Sequence, residues 1–467
     1  MLIKSSRLIS LIKPLSAKEK KELILFSSSP IFNLNQQITQ LLQILLFEKH
    51  KVITDEQLYH KIFPDSTFNA QKLRHLFSYS IQNVCKFLEF SELQKVPGIN
   101  NLMLLRSYRR FKRHDDFIKQ YEIECNLINQ QATNTNAFIN AYYMHIEHYE
   151  ESVSKQRTAS VNLENLTLSL DAFYICSKLK LACNALTHKN LFHSNKSYTL
   201  DPLTLQMLES EAFLRVPLIH MLFAAYLTLA DPDNEQHFKN LKESLITKSE
   251  KISHDELKDM YTIAINYCIK KLNTGHMSYL NEALDIYKLG LAKDIFLDNE
   301  TLSPFTYKNI TSAALRLGEM EWTLEFIQQY KERLPSAQRD EFYAFCLGKY
   351  YTATKAFDKV TDCLHNKEFT DLFTNLDAKV MLIKAYYELQ SYSLVDSLLD
   401  NFRHWMQRKE VLGYHKSNYS NFIKAVKYLL KSQHANNQIR SEIETKIKQF
   451  NILTERDWLL NKLSENA

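Results

Sequence analysis

Apolar residues recur along almost the whole chain at the three- and four-residue spacing of an α-helix. No run alternates apolar and polar residues with the period of two expected of a β-strand over a convincing length. Prolines fall between the periodic stretches, and none follows Pro335. The pattern predicts an all-α protein built from many helices.

Three segments fit the capping box, in which a helix-start Ser or Thr and a Glu or Gln three residues later bond each other's free amides. They begin at Ser16, Thr54 and Ser253. Each predicts a helix that starts at the next residue.

The helical pattern repeats in the C-terminal half of the chain. Units begin near Pro304, Glu341 and Leu376, and these starts are 37 and 35 residues apart. Each unit has two helical stretches separated by a short turn, which is Gly318-Glu319 in the first unit. A looser unit that ends near Asp298 precedes them. It carries an insertion and has a longer turn that contains Gly275.

These units resemble the tetratricopeptide repeat, a helix–turn–helix unit of about 34 residues, over roughly residues 255–410. The matching residues are the Leu347-Gly348 pair, the turn glycine Gly318, the aromatic residues Phe357 and Tyr392, and the terminal proline Pro335. The departures are Thr323, Val360 and Val395, which stand where the family prefers Ala.

The resemblance implies a right-handed α-solenoid of antiparallel helix pairs, preceded by a divergent helical N-terminal region. The whole chain also resembles bacterial helical-repeat proteins without an assigned activity, through residues 265–269 and 456–460. That second resemblance implies no function.

We expect four regions along the chain. They are a basic helical N-terminal region (1–100), divergent helical pairs (101–254), tetratricopeptide-like repeats (255–410) and C-terminal capping helices (411–467). In the last region, 422–430 and 439–463 are predicted to be two helices that close the open end of the array, with Trp458, Leu459 and Leu463 buried.

Composition argues against an enzyme. Six scattered glycines leave no glycine-rich loop for a nucleotide phosphate. Seven cysteines include no Cys-x-x-Cys pair, which disfavours a disulfide framework or a structural zinc site. His145 and His148 could ligate a metal, but no third ligand accompanies them in the sequence. We therefore expect no cofactor, no metal and no catalytic residues.

The sequence also favours a cytoplasmic location without a membrane partner. No segment near Met1 has the features of a signal peptide. The most apolar stretch, 216–230, is too short to cross a bilayer.

Positive charge is concentrated at the N-terminal end. The net charge is +5, but residues 1–115 alone hold 18 Lys and Arg against 9 Asp and Glu, a net charge of +9. A possible basic patch lies at Arg106, Arg109, Arg110, Lys112 and Arg113. It could bind nucleic-acid phosphates or be an ordinary solvated helix end. Residues 54–90 could likewise be a helix-turn-helix or a plain helical pair.

In the tetratricopeptide family, the first helix of each unit lines a concave groove that holds a peptide or a partner helix. Carried over, that groove is lined here by Lys308, Asn309, Ser312, Lys349 and Lys384. The three lysines favour an acidic protein segment. The preferred hypothesis is a non-enzymatic scaffold or adaptor, and the alternative is a nucleic-acid-associated regulator that uses the basic N-terminal quarter. The sequence does not determine the partner or the oligomeric state.

Overall fold

The computed structural model describes residues 7–47, 54–130, 133–155, 163–192, 200–408, 413–433 and 435–465. In these residues the regular structure is α-helical, apart from two 3₁₀ turns and one hairpin of two-residue strands. The prediction of an all-α protein is confirmed.

The helices of the first half are α1 (Arg7–Ile12), α2 (Ala17–Ser28), α3 (Gln36–Phe47), α4 (Asp55–Ile62), α5 (Ala70–Lys95), α6 (Ile99–Arg110), α7 (His114–Gln130), α8 (Thr135–Lys155), α9 (Leu163–Phe192), α10 (Pro202–Leu208), α11 (Glu211–Leu214), α12 (Pro217–Ala230) and α13 (Glu235–Thr247). The second half holds α14 (His254–Asn273), α15 (Tyr279–Ala292), β1 (Leu297–Asp298), β2 (Thr301–Leu302), α16 (Pro304–Arg316), α17 (Met320–Gln329), α18 (Arg339–Ala353), α19 (Phe357–Leu364), α20 (Leu372–Glu388), α21 (Tyr392–Arg408), α22 (Gly413–Ser432), α23 (Asn437–Lys448) and α24 (Arg456–Glu465). The 3₁₀ turns are Ser249–Lys251 and Lys331–Arg333.

The chain divides into two compact units. Unit 1 comprises Met1–Gln131 and Thr135–Tyr174, and unit 2 comprises Ala132–Asn134 and Ile175–Ala467. In unit 1, buried apolar side chains of α1 to α5 form one core, and those of α6, α7 and α8 form a smaller one.

Unit 2 packs neighbouring helices in a regular order. The helices α12 and α13, α14 and α15, α16 and α17, α18 and α19, and α20 and α21 pack as consecutive pairs. The first helix of a pair packs against the first helix of the next in three cases, which are α12 with α14, α16 with α18, and α18 with α20. The helices α14 and α16 do not share this close packing. A short antiparallel hairpin, β1–β2, lies between α15 and α16.

The helix pairs α16–α17, α18–α19 and α20–α21 share one turn geometry. A three-residue connection joins the helices, and its middle residue has a positive φ, which is +78° at Gly318, +58° at Lys355 and +55° at Gln390. The next amide donates to the carbonyl five residues earlier, which closes the end of the first helix. The middle residues are 37 and 35 positions apart, the same spacing as the predicted units. Lys112, with φ of +56°, makes the same turn between α6 and α7.

The Leu347-Gly348 pair has a clear packing role. A Cβ atom added to Gly348 would lie 2.9 Å from the Leu364 Cδ1 atom, which is too close for a normal contact. Gly348 therefore allows α18 and α19 to approach closely.

Two capping boxes are confirmed and the third is wrong. The boxes at Ser16 and Thr54 form both reciprocal bonds. Ser253 starts α14 without a side-chain cap. Its expected partner, Glu256, is buried and instead pairs with the Lys180 ammonium at 3.0 Å.

The C-terminal region has three helices where two were predicted. The segment between α23 and α24 is not helical, because side chains satisfy the carbonyls that a helix would use. The Arg456 guanidinium donates to the carbonyls of Lys448 and Phe450, and the Asn421 amide donates to that of Ile452. Leu459 and Leu463 are buried against α20 to α23, as predicted, whereas Trp458 is only partly buried.

Candidate functional site

The structure brings together predicted groove residues from α16 and α18. Lys308 and Ser312 are one turn apart on α16, and the Lys349 ammonium on α18 donates a hydrogen bond to the Ser312 Oγ at 2.7 Å. The Lys308 and Lys349 nitrogens lie 5.8 Å and 5.6 Å from the centroid of the Phe345 ring. The two ammonium groups therefore share one aromatic neighbour.

Carboxylates of the chain itself pair with two of the predicted lysines. Asp371 lies 3.8 Å from the Lys308 Nζ, which also donates to the Thr374 hydroxyl at 3.1 Å. The Glu455 carboxylate lies 2.5 Å from the Lys384 Nζ, and only 12% of the Lys384 side chain is exposed. These lysines are already paired in the folded chain.

Lys349 differs from the other two lysines. Among the described residues, no carboxylate oxygen lies within 4.0 Å of its nitrogen. Burial lowers the pKa of the Lys349 ammonium, and the carboxylates of Asp377 and Glu455 offset only part of this effect. We call Lys308, Ser312, Lys349 and Lys384 the lysine cluster.

The fifth predicted groove residue lies outside this cluster. Asn309 is exposed on α16.

The basic patch of unit 1 is also paired internally. Arg106 lies 2.5 Å from one oxygen of Glu147, and Arg109 lies 2.8 Å from the other. Glu150 lies 2.6 Å from Arg109. Glu147 is buried, so these contacts hold α6 against α8.

The remaining three basic residues stand at the turn between α6 and α7. Arg113 pairs with Asp116 at 2.5 Å, and the Arg110 guanidinium lies 4.6 Å from the centroid of the Phe111 ring. Lys112 is the turn residue with the positive φ. Carboxylates thus pair with three of the five basic residues of the patch, Arg106, Arg109 and Arg113.

The histidines considered as metal ligands belong to an aromatic contact. The Tyr121 hydroxyl lies 2.7 Å from the His145 Nδ1, and the Tyr121 and His148 rings stack with centroids 4.3 Å apart. Burial lowers the pKa of both histidines. No group of three or more His, Cys, Asp or Glu side chains in the described residues is arranged to hold a metal ion.

A groove of about 570 Å³ lies in unit 2 between α9, the end of α12 and α14. Its lining includes residues of α14 from Asp259 to Asn273, and these two residues lie about 21 Å apart along the helix axis. The lining residues are Asn184, Thr187, Thr228, Leu229, Pro232, Asp259, Thr262, Ile263, Asn266, Tyr267, Ile269, Lys270, Asn273 and Thr274.

The polar groups of this groove fall into two kinds. Hydroxyl groups bond to the backbone of the chain, as Thr262 does to the Lys258 carbonyl at 2.7 Å. In contrast, no described residue hydrogen bonds to the side chains of Asn184, Asn266 and Asn273, which are exposed. We call this surface the asparagine groove.

Two unpaired charges lie near opposite ends of the asparagine groove. Among the described residues, Asp259 and Lys270 have no ion-pair partner within 4.0 Å. Burial raises the pKa of the Asp259 carboxyl, and the Lys180 ammonium opposes this shift. The two charges are eleven positions apart on α14, which places them about 16 Å apart along the helix axis.

The asparagine groove is absent from the residues predicted for the site. Its signal was present in the sequence, because Thr262, Asn266, Lys270 and Asn273 recur at intervals of four, four and three residues on one face of α14. Ile269 of the same helix is 39% exposed and also lines the groove.

No protein-family model matches this sequence, and no curated protein matches it. Each helix within the described ranges is too short or too polar to cross a lipid bilayer. The structure defines the chain as an all-α protein, and its function is inferred from the surfaces described above.

Proposed function

We propose that this protein is a non-enzymatic adaptor that holds an extended segment of a partner protein in the asparagine groove. The observation that carries the proposal is the set of three exposed asparagines without hydrogen-bond partners along one groove. An asparagine amide has both donors and an acceptor, so it can bond a peptide N–H and a peptide C=O together.

The proposal includes a tetratricopeptide-like array in unit 2. It is supported by the consecutive helix pairs, by the contacts between first helices, and by turns that recur every 37 and 35 residues. In such an array α14, α16, α18 and α20 would contribute to one continuous surface. The asparagine groove and the lysine cluster would then be two parts of that surface.

The charges of the groove specify the partner segment further. An extended chain advances about 3.3 Å per residue, so the distance of about 16 Å from Asp259 to Lys270 corresponds to about five residues. The expected segment carries a basic residue near Asp259 and an acidic residue about five positions away, near Lys270. Apolar side chains between them would meet Ile263, Tyr267 and Ile269.

Binding of an acidic partner segment at the lysine cluster is less well supported than binding at the asparagine groove. Asp371 and Glu455 already pair with Lys308 and Lys384, which leaves Lys349 to receive a partner carboxylate. The alternative role in nucleic-acid binding is also less well supported, since carboxylates pair with Arg106, Arg109 and Arg113.

The test is a selection of displayed random twelve-residue peptides on the immobilised full chain. Enriched peptides are synthesised, and their Kd values are measured by fluorescence anisotropy. The double variant Asn266→Ala, Asn273→Ala should bind about thirtyfold more weakly, since each asparagine contributes on the order of 1 kcal/mol through its hydrogen bonds.

The matched control is Asn281→Ala. Asn281 is exposed on α15, the partner helix of α14, and it does not line the groove. Its replacement should leave the Kd unchanged. Equal binding by wild type and the double variant, or a selection without enrichment, would rule out the groove as the binding site.

A further inference from the structure

An uncharged segment of unit 1 carries an apolar loop. No Asp, Glu, Lys, Arg or His occurs between Glu22 and Glu48. This segment forms the second half of α2, all of α3 and the loop 29–35 between them. The two side chains at Ile31 and Leu34 are 85% and 88% exposed, although both are large and aliphatic.

Hydrogen bonds hold this loop in one shape. The Asn33 side-chain amide donates to the Ser27 carbonyl at 2.8 Å and to the Asn35 carbonyl at 2.9 Å. The Asn33 Oδ1 accepts from the Asn35 amide at 2.9 Å, and the Thr39 hydroxyl donates to the Ser27 carbonyl at 2.7 Å. Hydrogen bonds of the loop and its flanking residues therefore fix the conformation of the loop.

The aromatic residue between the two exposed side chains anchors the loop. The Phe32 ring stacks on Phe26 with centroids 4.1 Å apart and an interplanar angle of 16°. The Asn83 side chain donates to the Phe32 carbonyl at 3.5 Å and accepts from the Ser27 hydroxyl at 2.6 Å. Ile31 and Leu34 are thus presented to solvent by a preorganised loop, which lowers the entropy cost of burying them in a complex.

A groove of about 490 Å³ lies directly beside these side chains. One wall is the loop itself, and the other is a face of α5 that includes Tyr79, Gln82 and Lys86. The Tyr79 side chain is 53% exposed. Projecting apolar side chains and a groove with an aromatic wall therefore lie side by side on unit 1.

We propose that this surface forms a two-fold dimer with a second copy of the chain. In an isologous interface each contact occurs twice, so one patch must carry both the projecting group and its receptor. In the proposed dimer Ile31 and Leu34 of each copy enter the groove beside Tyr79 of the other.

Charge favours a second copy over other occupants. Lys86 is the one charged residue among those that line the groove, and the loop has none. An acidic protein or an anionic membrane would be expected to meet several basic residues. A flat bilayer would also leave the groove unfilled, whereas the neutral loop of another copy fits both features.

The first test is sedimentation velocity of the full chain over a concentration series. The apparent mass of the wild-type protein should rise towards twice the chain mass as concentration rises. Added salt should change this little, because the two surfaces that meet are nearly neutral. The variant Ile31→Asp, Leu34→Asp should remain monomeric with an unchanged circular dichroism spectrum. The milder variant Ile31→Ser, Leu34→Ser should weaken the dimer at least tenfold.

The matched control is Leu181→Asp, because Leu181 on α9 is 65% exposed but lies outside unit 1. It should dimerise as wild type does. In a background with Cys85, Cys125 and Cys363 replaced by Ser, a mixture of Ile31→Cys and Tyr79→Cys chains should give more bismaleimide-linked dimer than either variant alone.

Three results would overturn the proposal. One is a wild-type chain that stays monomeric throughout the concentration series. Another is a dimer that survives both loop variants. The third is a monomer that co-sediments with vesicles of phosphatidylcholine and phosphatidylserine through Ile31 and Leu34, which would assign the loop to a lipid surface.

Discussion

The lysine cluster and the asparagine groove are both rich in polar side chains on first helices of consecutive pairs in unit 2, but they differ in what satisfies those side chains. Lys308 and Lys384 have carboxylate partners from elsewhere in the same chain. Asn266 and Asn273 have no partner among the described residues. The more highly charged region is therefore the less available one.

The difference teaches that residue type alone does not identify a binding surface. The carboxylate partners of Lys308 and Lys384 stabilise these partly buried charges, because the desolvation of an unpaired charge is costly. A neutral amide at an exposed place can remain unpaired, because water solvates it in the free protein. We therefore expect substitutions in the lysine cluster to change stability and those in the asparagine groove to change binding.

The largest effect on the free energy of unfolding is expected from Glu455→Gln. This change leaves the Lys384 ammonium, which is only 12% exposed, without its carboxylate. The free energy of unfolding of unit 2 should fall by about 2 kcal/mol, as for other hydrogen-bonded pairs with one buried partner. Urea unfolding followed by tryptophan fluorescence measures it, since Trp322, Trp405 and Trp458 all lie in unit 2.

The control for this change is Glu465→Gln. Glu465 lies 2.5 Å from the Lys462 Nζ, the same distance as in the Glu455 pair, but its side chain is 61% exposed. Its loss should change the unfolding free energy by less than about 0.5 kcal/mol. An equal loss in both variants would show that the lysine cluster is no more structural than an exposed ion pair.

Local features of unit 2 could be predicted from the sequence. The 3.6-residue period located the helices, Gly318 marked a turn, and Leu347-Gly348 marked a close helix contact. The same turn at Lys355 and Gln390 uses residues that rarely adopt a positive φ, so residue type gave no signal there. Only the repeat spacing indicated those turns.

The ion pairs of the lysine cluster and of the basic patch could not be predicted from the local sequence pattern. The partner of Lys384 in the cluster is 71 residues away, and the partner of Arg106 in the patch is 41 residues away. Such pairs depend on how helices pack, which the local pattern does not encode. Glu455 also lies in a break that the sequence pattern assigned to one continuous helix, because Arg456 caps the end of α23 there.

The variant Lys349→Met is expected to raise the free energy of unfolding, by less than Glu455→Gln lowers it. No carboxylate of the described residues lies within 4.0 Å of the Lys349 ammonium, and burial lowers the pKa of this group. An apolar side chain of similar length should raise the unfolding free energy by about 1 kcal/mol near neutral pH. The Ser312 hydroxyl keeps its own bond to the Lys308 carbonyl.

The pH dependence of this variant gives a further check. Between the lowered pKa of Lys349 and its ordinary value of 10.5, the unfolded chain binds more protons than the folded one. Wild-type stability should therefore gain a contribution as pH rises through that window, and the variant should lack it. Urea midpoints measured from neutral pH upwards would contradict this if both proteins changed in parallel.

The smallest effect on stability is expected from Asn266→Ala in the asparagine groove. The side chain is exposed and has no described partner, so its removal breaks no bond within the protein. Alanine also favours an α-helix over asparagine by about 0.5 kcal/mol, so the unfolding free energy should stay level or rise by that amount. A loss above about 1 kcal/mol would show that Asn266 has a structural role and would remove the distinction between the two regions. Unchanged stability together with weaker binding of a selected peptide would instead establish that this side chain is retained for a partner.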